Sequence, residues 1–263
     1  MLRSSDPVRV FWAPGCSSCL RTKEFLNRRG VPFESVNVKD NPEAMQQLLA
    51  LGARSVPIVA QGSSFVYAQS LADIVAFLGL DVEAETRLPP AVLVDRLNNV
   101  LAAAERYMRQ IPPEAVDVVF RNFFSPRALG QHTFRVTEAF VEAASIPTEY
   151  TYELMMRGTH GVKPGDDIPA YGRDVARRFK EWWAANPDPA CQGRMTAYWG
   201  EQSMHEILER TAWHSAQHTR QLITVLDEFG VEPDGRLTAA DLQGLPLPEN
   251  VWGETEASRE KAA

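Results

Sequence analysis

A chain of 263 residues, 44% apolar and 23% charged, is long for one domain and sufficient for two that each bury a core. Its net charge of −7 gives no electrostatic reason to bind nucleic acid or an anionic membrane, and no stretch approaches the ~20 apolar residues that span a bilayer. Three cysteines are too few for a disulfide scaffold, and the polar start Met1-Leu2-Arg3-Ser4-Ser5-Asp6 lacks the apolar core of a signal peptide, so the expectation is a cytoplasmic protein.

The first eighty residues alternate between strand and helix patterns. Val8 to Trp12 is β-branched and aromatic and reads as a strand, broken by Pro14-Gly15. Ser17 to Arg29 then reads as a helix with Leu20, Phe25 and Leu26 as its apolar positions. A second strand, Phe33 to Val38, follows the Gly30-Val31-Pro32 turn. Asp40 is placed to cap a helix that carries Pro42 in its first turn and ends near Gly52. Ser55-Val56-Pro57-Ile58-Val59 opens a third strand, Phe65 to Ala68 forms a fourth, and Ser70 is placed to cap a last helix reaching Leu80. This alternation predicts an α/β layer fold with a partly parallel sheet.

Within that pattern Cys16-Ser17-Ser18-Cys19 sits between the first strand and the first helix. Unpaired N–H groups and the helix dipole favour a thiolate at Cys16, while Cys19 lies one turn deeper. Half of a zinc site would need a second ligand pair close by, and the first hundred residues contain no histidine and no further cysteine.

The Cys-x-x-Cys after the first strand, paired with Ser55-Val56-Pro57 before the third, resembles the glutaredoxin branch of the thioredoxin fold over roughly residues 7–80. The resemblance implies that Cys16 is the nucleophile and that Cys19 resolves the mixed disulfide. It also implies a cis Pro57 that sets the Val56 backbone against the sulfurs, to hold a thiol substrate like an added strand. Two features that grip glutathione in that family are missing. Ala13 stands where a lysine is usual, and Tyr67-Ala68-Gln69-Ser70 replaces the usual glycine-containing stretch ending in Asp. Their loss argues against glutathione as the direct partner; reduction by a thioredoxin-reductase-like protein, as in NrdH-type glutaredoxins, or by another thiol reductant, and service to a local substrate fit equally well.

Periodicity lapses over residues 81–90, acidic and then Leu88-Pro89-Pro90, which reads as a linker. Helical patterns follow at about 91–110, 126–145, 168–186 and 203–229, separated by Pro112-Pro113, Pro147, and Pro187 with Pro189, and no comparable strand pattern appears. The expected organisation is an α/β domain over 1–80, a linker over 81–90, an all-α four-helix bundle over 91–240, and a C-terminal extension over 241–263 that is partly disordered.

His214 and His218 lie four apart on the last helix, about 40° apart around its axis, so both rings project to one side. That spacing suits two ligands of one metal ion, and it equally suits two packed histidines. His132, in the second helix beside Phe134 and Val136, is the natural third ligand. His205 falls about 180° away from His214 and is assigned no role. His160 reads as a solvated loop residue, Cys191 as a plain loop or helix-start thiol, and Glu138 and Arg220 as surface or salt-bridge residues.

The stretch from Glu206 to Leu222, with His214-Ser215-Ala216-Gln217-His218 at its centre, resembles the last metal-binding helix of the DinB/YfiT-like four-helix metalloproteins. The resemblance covers about 91–235 and implies that His132, His214 and His218 hold a divalent ion, zinc or nickel, with a coordination position left open. It further implies a small-molecule thiol or disulfide substrate, a low-molecular-weight thiol as cosubstrate, and pairing of bundles into a homodimer. The whole chain then reads as a thiol–disulfide oxidoreductase fused to a metal-dependent thiol transferase of a detoxification type. Two alternatives stand beside it. In one the bundle is a non-catalytic metal- or client-binding module; in the other the chain is a redox sensor.

Overall fold

The computed structural model describes residues 6–82, 87–121, 124–146 and 148–253, and divides into two compact units, Met1–Glu85 with Pro248–Ala263, and Thr86–Leu247. Parts of the predicted linker, 83–86, Pro147, and the tail 254–263 lie outside the described residues.

The first unit runs β1 (Val8–Trp12), α1 (Ser17–Arg28), β2 (Glu34–Asn37), α2 (Pro42–Ala50), β3 (Ile58–Gln61), β4 (Ser64–Tyr67) and α3 (Leu71–Leu78). The sheet order is β2-β1-β3-β4. β1 and β2 pair in parallel across the α1 crossover, while β1–β3 and β3–β4 are antiparallel, so the sheet is mixed. A two-residue turn, Gly62-Ser63, joins β3 to β4, and Gly62 takes the left-handed φ of 61° that such turns demand.

The period of two along each strand divides the core between the two faces of the sheet. Phe11, Ile58 and Ala60 point to one side and pack with Ala44 and Leu48 of α2. Val10 and Val59 point to the other and pack with Phe25 and Leu26 of α1 and Ile74 of α3. Residues 249 and 250 return to this unit, where the Glu24 carboxylate accepts the backbone N–H of Glu249 at 2.6 Å and that of Asn250 at 3.1 Å.

Two capping expectations need correction. Asn41, not Asp40, caps α2, its Oδ1 accepting from Ala44 N at 3.1 Å, and Asp40 sits in the preceding turn at φ 57°. Ser70 does stand at the N-cap of α3, but its side chain makes no capping hydrogen bond.

The second unit is mostly helical. It contains α4 (Pro90–Gln110), α5 (Pro126–Ser145), α6 (Tyr152–Met156), a 3-10 turn at Thr159–Gly161, α7 (Ile168–Ala185), a hairpin of β5 (Arg194–Ala197) and β6 (Gly200–Ser203), and α8 (Met204–Glu228). The four long helices pack as α4 on α8, α8 on α5, α5 on α7 and α7 on α4. Leu93, Leu97, Leu101, Phe134, Phe140, Phe179, Trp213 and Leu222 are fully or almost fully buried between them.

The β5–β6 hairpin and α6 carry no clear signature in the sequence. Four-residue strands are too short for alternation to register, and α6 is barely more than one turn. Residues 241–247, expected in the extension, belong to this unit, with Leu245 buried in its core.

A capping box starts α8: Ser203 Oγ accepts from Glu206 N at 3.2 Å, and the Glu206 carboxylate accepts from Ser203 N at 2.8 Å. Between α5 and α7 lies an ionic cluster. Arg135 forks onto both carboxylate oxygens of Glu142 at 2.7 and 2.9 Å, and also bonds Glu138, which in turn accepts from Arg178 and from Tyr171 Oη at 2.6 Å. Glu138 is thus a salt-bridge residue, as read from the sequence, but a largely buried one. Burial alone would raise its carboxyl; the hydrogen bonds from Tyr171, Arg178 and Arg135 outweigh that and hold it below its ordinary value of 4.5. Glu142 is held down chiefly by its hydrogen bonds from Arg135.

A depressed folded pKa contributes stability that is complete above the unfolded value and is lost as pH falls through the folded one. The urea midpoint of this unit is therefore expected to fall between about pH 6 and about pH 3, and Glu138→Gln to remove part of that dependence. Tryptophan fluorescence reads it, because Trp182, Trp183, Trp199 and Trp213 all lie in this unit. A second expectation concerns the α5–α7 contact, where a methyl group built on Gly172 would run into the Phe134 ring. Helix propensity favours alanine by about 1 kcal/mol, but overpacking against a rigid ring costs about 1–3 kcal/mol. Gly172→Ala should lower the thermal midpoint.

Candidate functional site

Each unit carries one group of reactive side chains. In the first, Cys16 is the N-cap of α1 and forms a disulfide with Cys19. The Cys19 backbone N–H points at Cys16 Sγ, 3.1 Å away, and the first turn of α1 contains no acidic residue. Both features favour negative charge on Cys16 after reduction. Cys16 is partly exposed, whereas Cys19 is buried at 1% exposure, so an incoming sulfur can reach only the former.

Val56–Pro57 is a cis peptide just before β3. Residues 68 and 69 tie it to the dithiol. The Ala68 N–H bonds Pro57 O at 3.0 Å, Thr22 Oγ1 bonds Ala68 O at 3.3 Å, and Ser18 Oγ donates to Gln69 Oε1 at 3.1 Å. Gln69 thus has a structural use in the stretch that departs from the glutathione-gripping pattern. The Lys23 ammonium lies 4.0 Å above the Trp12 ring, at the end of the strand that leads into the motif.

In the second unit, His132 of α5 and His214 and His218 of α8 converge. Their candidate ligand nitrogens lie within 4.8 Å of one another, and all three rings are buried. Among the described residues this is the one cluster of three or more histidine, cysteine or carboxylate side chains so placed. His214 Nε2 is 3.3 Å from His132 Nε2 and 3.0 Å from His218 Nε2. Burial pushes all three pKa values down and the Arg210 guanidinium adds to it; His218 is lowered to about 4 although its contact with Gln221 opposes the shift. The rings are therefore neutral imidazoles, the form that ligates metal. Nitrogens held about 2.0–2.1 Å from a tetrahedral ion stand about 3.3–3.4 Å apart, which the two distances from His214 approach. The donor set fits a divalent ion that accepts imidazole, and its three protein ligands are the number found in open sites rather than closed structural ones.

Several neighbours went unassigned in the sequence reading. Gln221, one turn beyond His218 and 2% exposed, has Oε1 2.7 Å from His218 Nδ1. Arg210, one turn before His214, is buried with its guanidinium 5.1 Å from the Trp199 ring and 3.3 Å from Met155 Sδ. Their spacing from the histidines, i+3 and i−4, is a legible signal. His205 lies apart from the cluster, as expected, and its Nε2 is 2.8 Å from Leu88 O. His160 is exposed, with its ring 5.7 Å from that of Phe124. Arg220 donates to Gln217 Oε1 at 2.7 Å. Cys191 is a fully buried thiol, its pKa raised to about 11 chiefly by burial.

Comparison with known proteins bears on the first unit. The glutaredoxin family model matches residues 8–66. The glutaredoxin-like protein NrdH of Escherichia coli (strain K12) is 36% identical over 55 residues, which are 21% of this chain and 68% of that protein. The chain belongs to the glutaredoxin family. Its glutaredoxin unit is also similar to the N-acetyl-S-hydroxy-L-cysteine reductase of Bacillus subtilis, 37% identical over 67 residues, 24% of this chain and 71% of that enzyme. The Gene 56 protein of Mycobacterium phage L5 is 43% identical over 54 residues, 20% of this chain, and the chain spans 52% of that protein's length. No solved structure matches significantly. Among the described residues no helix is long and apolar enough to cross a membrane.

The geometry of the glutaredoxin unit makes an ordering testable. After reduction, iodoacetamide at neutral pH should alkylate Cys16 first, Cys19 at least about ten times more slowly, and Cys191 only on unfolding. Peptide mass mapping over time reads the order, and equal rates at Cys16 and Cys19 would contradict it.

Proposed function

We propose that the chain is a thiol–disulfide oxidoreductase fused to a metal-dependent thiol transferase of a detoxification type, with a DinB-like helical unit. The convergence of His132, His214 and His218 on one point in a dry core carries the second half of this reading. In the glutaredoxin unit, the Cys16 thiolate attacks a substrate disulfide, expels one thiolate and forms a mixed disulfide. Cys19 then attacks Cys16 Sγ, releases the second thiol and leaves the Cys16–Cys19 disulfide. Two electrons from an external dithiol reductant, of the thioredoxin-reductase-like kind or a small thiol, restore the pair. Val56 and Pro57 offer backbone to the substrate beside the sulfurs. A relative named as a reductase of a small S-hydroxy-cysteine derivative favours a small-molecule sulfur substrate over a protein client.

In the helical unit, His132, His214 and His218 would hold a zinc or nickel ion. Such an ion, when bound with an open position, acidifies a thiol or water toward neutral pH. The surrounding core buries all three rings, and neutral rings would leave the full charge of the ion uncompensated. Pairing of two chains through the helical unit and a cytoplasmic location complete the proposal.

Elemental mass spectrometry of the untagged protein is expected to find about one such ion per chain, lost in the His214→Ala/His218→Ala double variant. The metal-loaded protein should then conjugate a low-molecular-weight thiol to an electrophile, and the double variant should lose at least about 100-fold of that rate while keeping disulfide reductase activity. A parent protein that binds no zinc or nickel even after reconstitution would overturn the transferase half.

A further inference from the structure

Gln221 is not a candidate ligand, yet it makes a buried side-chain contact to the cluster. A carbonyl oxygen only accepts hydrogen bonds, so its Oε1 at 2.7 Å requires the proton of His218 on Nδ1. That choice leaves Nε2 unprotonated, 3.0 Å from His214 Nε2 and facing the point where the three rings meet. The other rings lack an equivalent side-chain partner. Among the described residues neither His214 Nδ1 nor His132 Nδ1 has a side-chain partner, the Met155 backbone being the group near the His132 ring. Gln221 and His218 are three residues apart on α8, so the helix itself sets the contact, and Gln221 is held at 2% exposure.

We propose that Gln221 is the positioning residue of the three-histidine site: it fixes the His218 tautomer and ring orientation and raises the basicity of its Nε2 toward a bound divalent ion. The proposal rests on the metal-site reading above. A neutral amide has a specific consequence. It orients the ring without adding the negative charge that a carboxylate would place beside the ion, so the ion keeps more of its Lewis acidity.

The test is titration of the full-length protein with Co²⁺, reading affinity by competition with a chelator and geometry from the visible absorption band. Gln221→Met conserves volume and removes the acceptor; Gln221→Glu keeps an acceptor and introduces a buried carboxyl group. We expect the Met variant to lose about 10–100-fold in Co²⁺ affinity. The Glu variant should keep parental affinity or exceed it, with a shifted visible band. A residue that merely fills the core would give the opposite order, because burying a carboxyl group disturbs packing more than methionine does. Circular dichroism checks the fold, and Gln221→Ala replaces the Met variant if that protein does not fold. Parental affinity in the Met or Ala variant, or equal loss in Met and Glu, overturns the positioning role while leaving the three ligands standing. A parent that binds Co²⁺ no better than His214→Ala/His218→Ala overturns the metal site and Gln221 with it.

Discussion

Three imidazoles brought together in a dry core constrain much of the second unit. Their Nε2 atoms approach to 3.0 and 3.3 Å, and burial holds the rings neutral, so ring nitrogens crowd one another away from bulk solvent. Such a concentration of acceptors is unfavourable unless a cation or a shared proton sits among them. The helix that carries two of the rings must therefore be fixed firmly. α8 runs for 25 residues, opens on a reciprocal capping box and is buried over nearly the whole span from Ile207 to Leu222. Its interior hydroxyls are satisfied: Thr211 and Thr219 bond back to the preceding turn at 2.8 Å, and Ser215 reaches Thr133 O on α5 at 3.2 Å.

The α5 side of the cluster is held by charge rather than by apolar packing alone. Three residues beyond His132, Arg135 leaves the core edge and locks α5 to itself through Glu138 and Glu142, and to the α6 region through Leu154 O at 2.8 Å. Glu138 carries the connection to α7 through Arg178 and Tyr171. A network of this kind adds little net stability against apolar residues of equal volume, but breaking one partner strands a buried charge. Its value here is directional, since it sets the rotation of α5 and hence where His132 points.

Much of this was legible in the residues themselves. The strand–helix alternation of the first unit, the Cys-x-x-Cys at a helix start and the four long helices all follow from periodicity and proline placement, and His214 with His218 share a face by the arithmetic of a helix. What escaped has physical reasons. β5 and β6 are too short for a period to emerge. The exchange of Asp40 for Asn41 as cap turns on which of two adjacent residues takes the left-handed φ, a choice local propensity leaves nearly balanced. That Gln69 is enlisted by Ser18, 51 residues away, depends on side-chain placement that no spacing rule ranks above simple burial.

The proposed chemistries of the two units share one chemical element, sulfur. A thiol at a helix N-terminus becomes a thiolate because unpaired N–H groups lower the cost of its charge, and a thiol on a divalent ion becomes one because the ion does. Either route makes sulfur nucleophilic near neutral pH, but the products differ. The dithiol exchanges electrons and must be reset by a reductant. A three-histidine ion exchanges none and needs only that its thiol arrive reduced. Under the proposed function, a chain holding both would keep a small thiol in the reduced form that the second site uses. On that reading, this dependence would be the chemical reason to join a glutaredoxin unit to a buried histidine cluster.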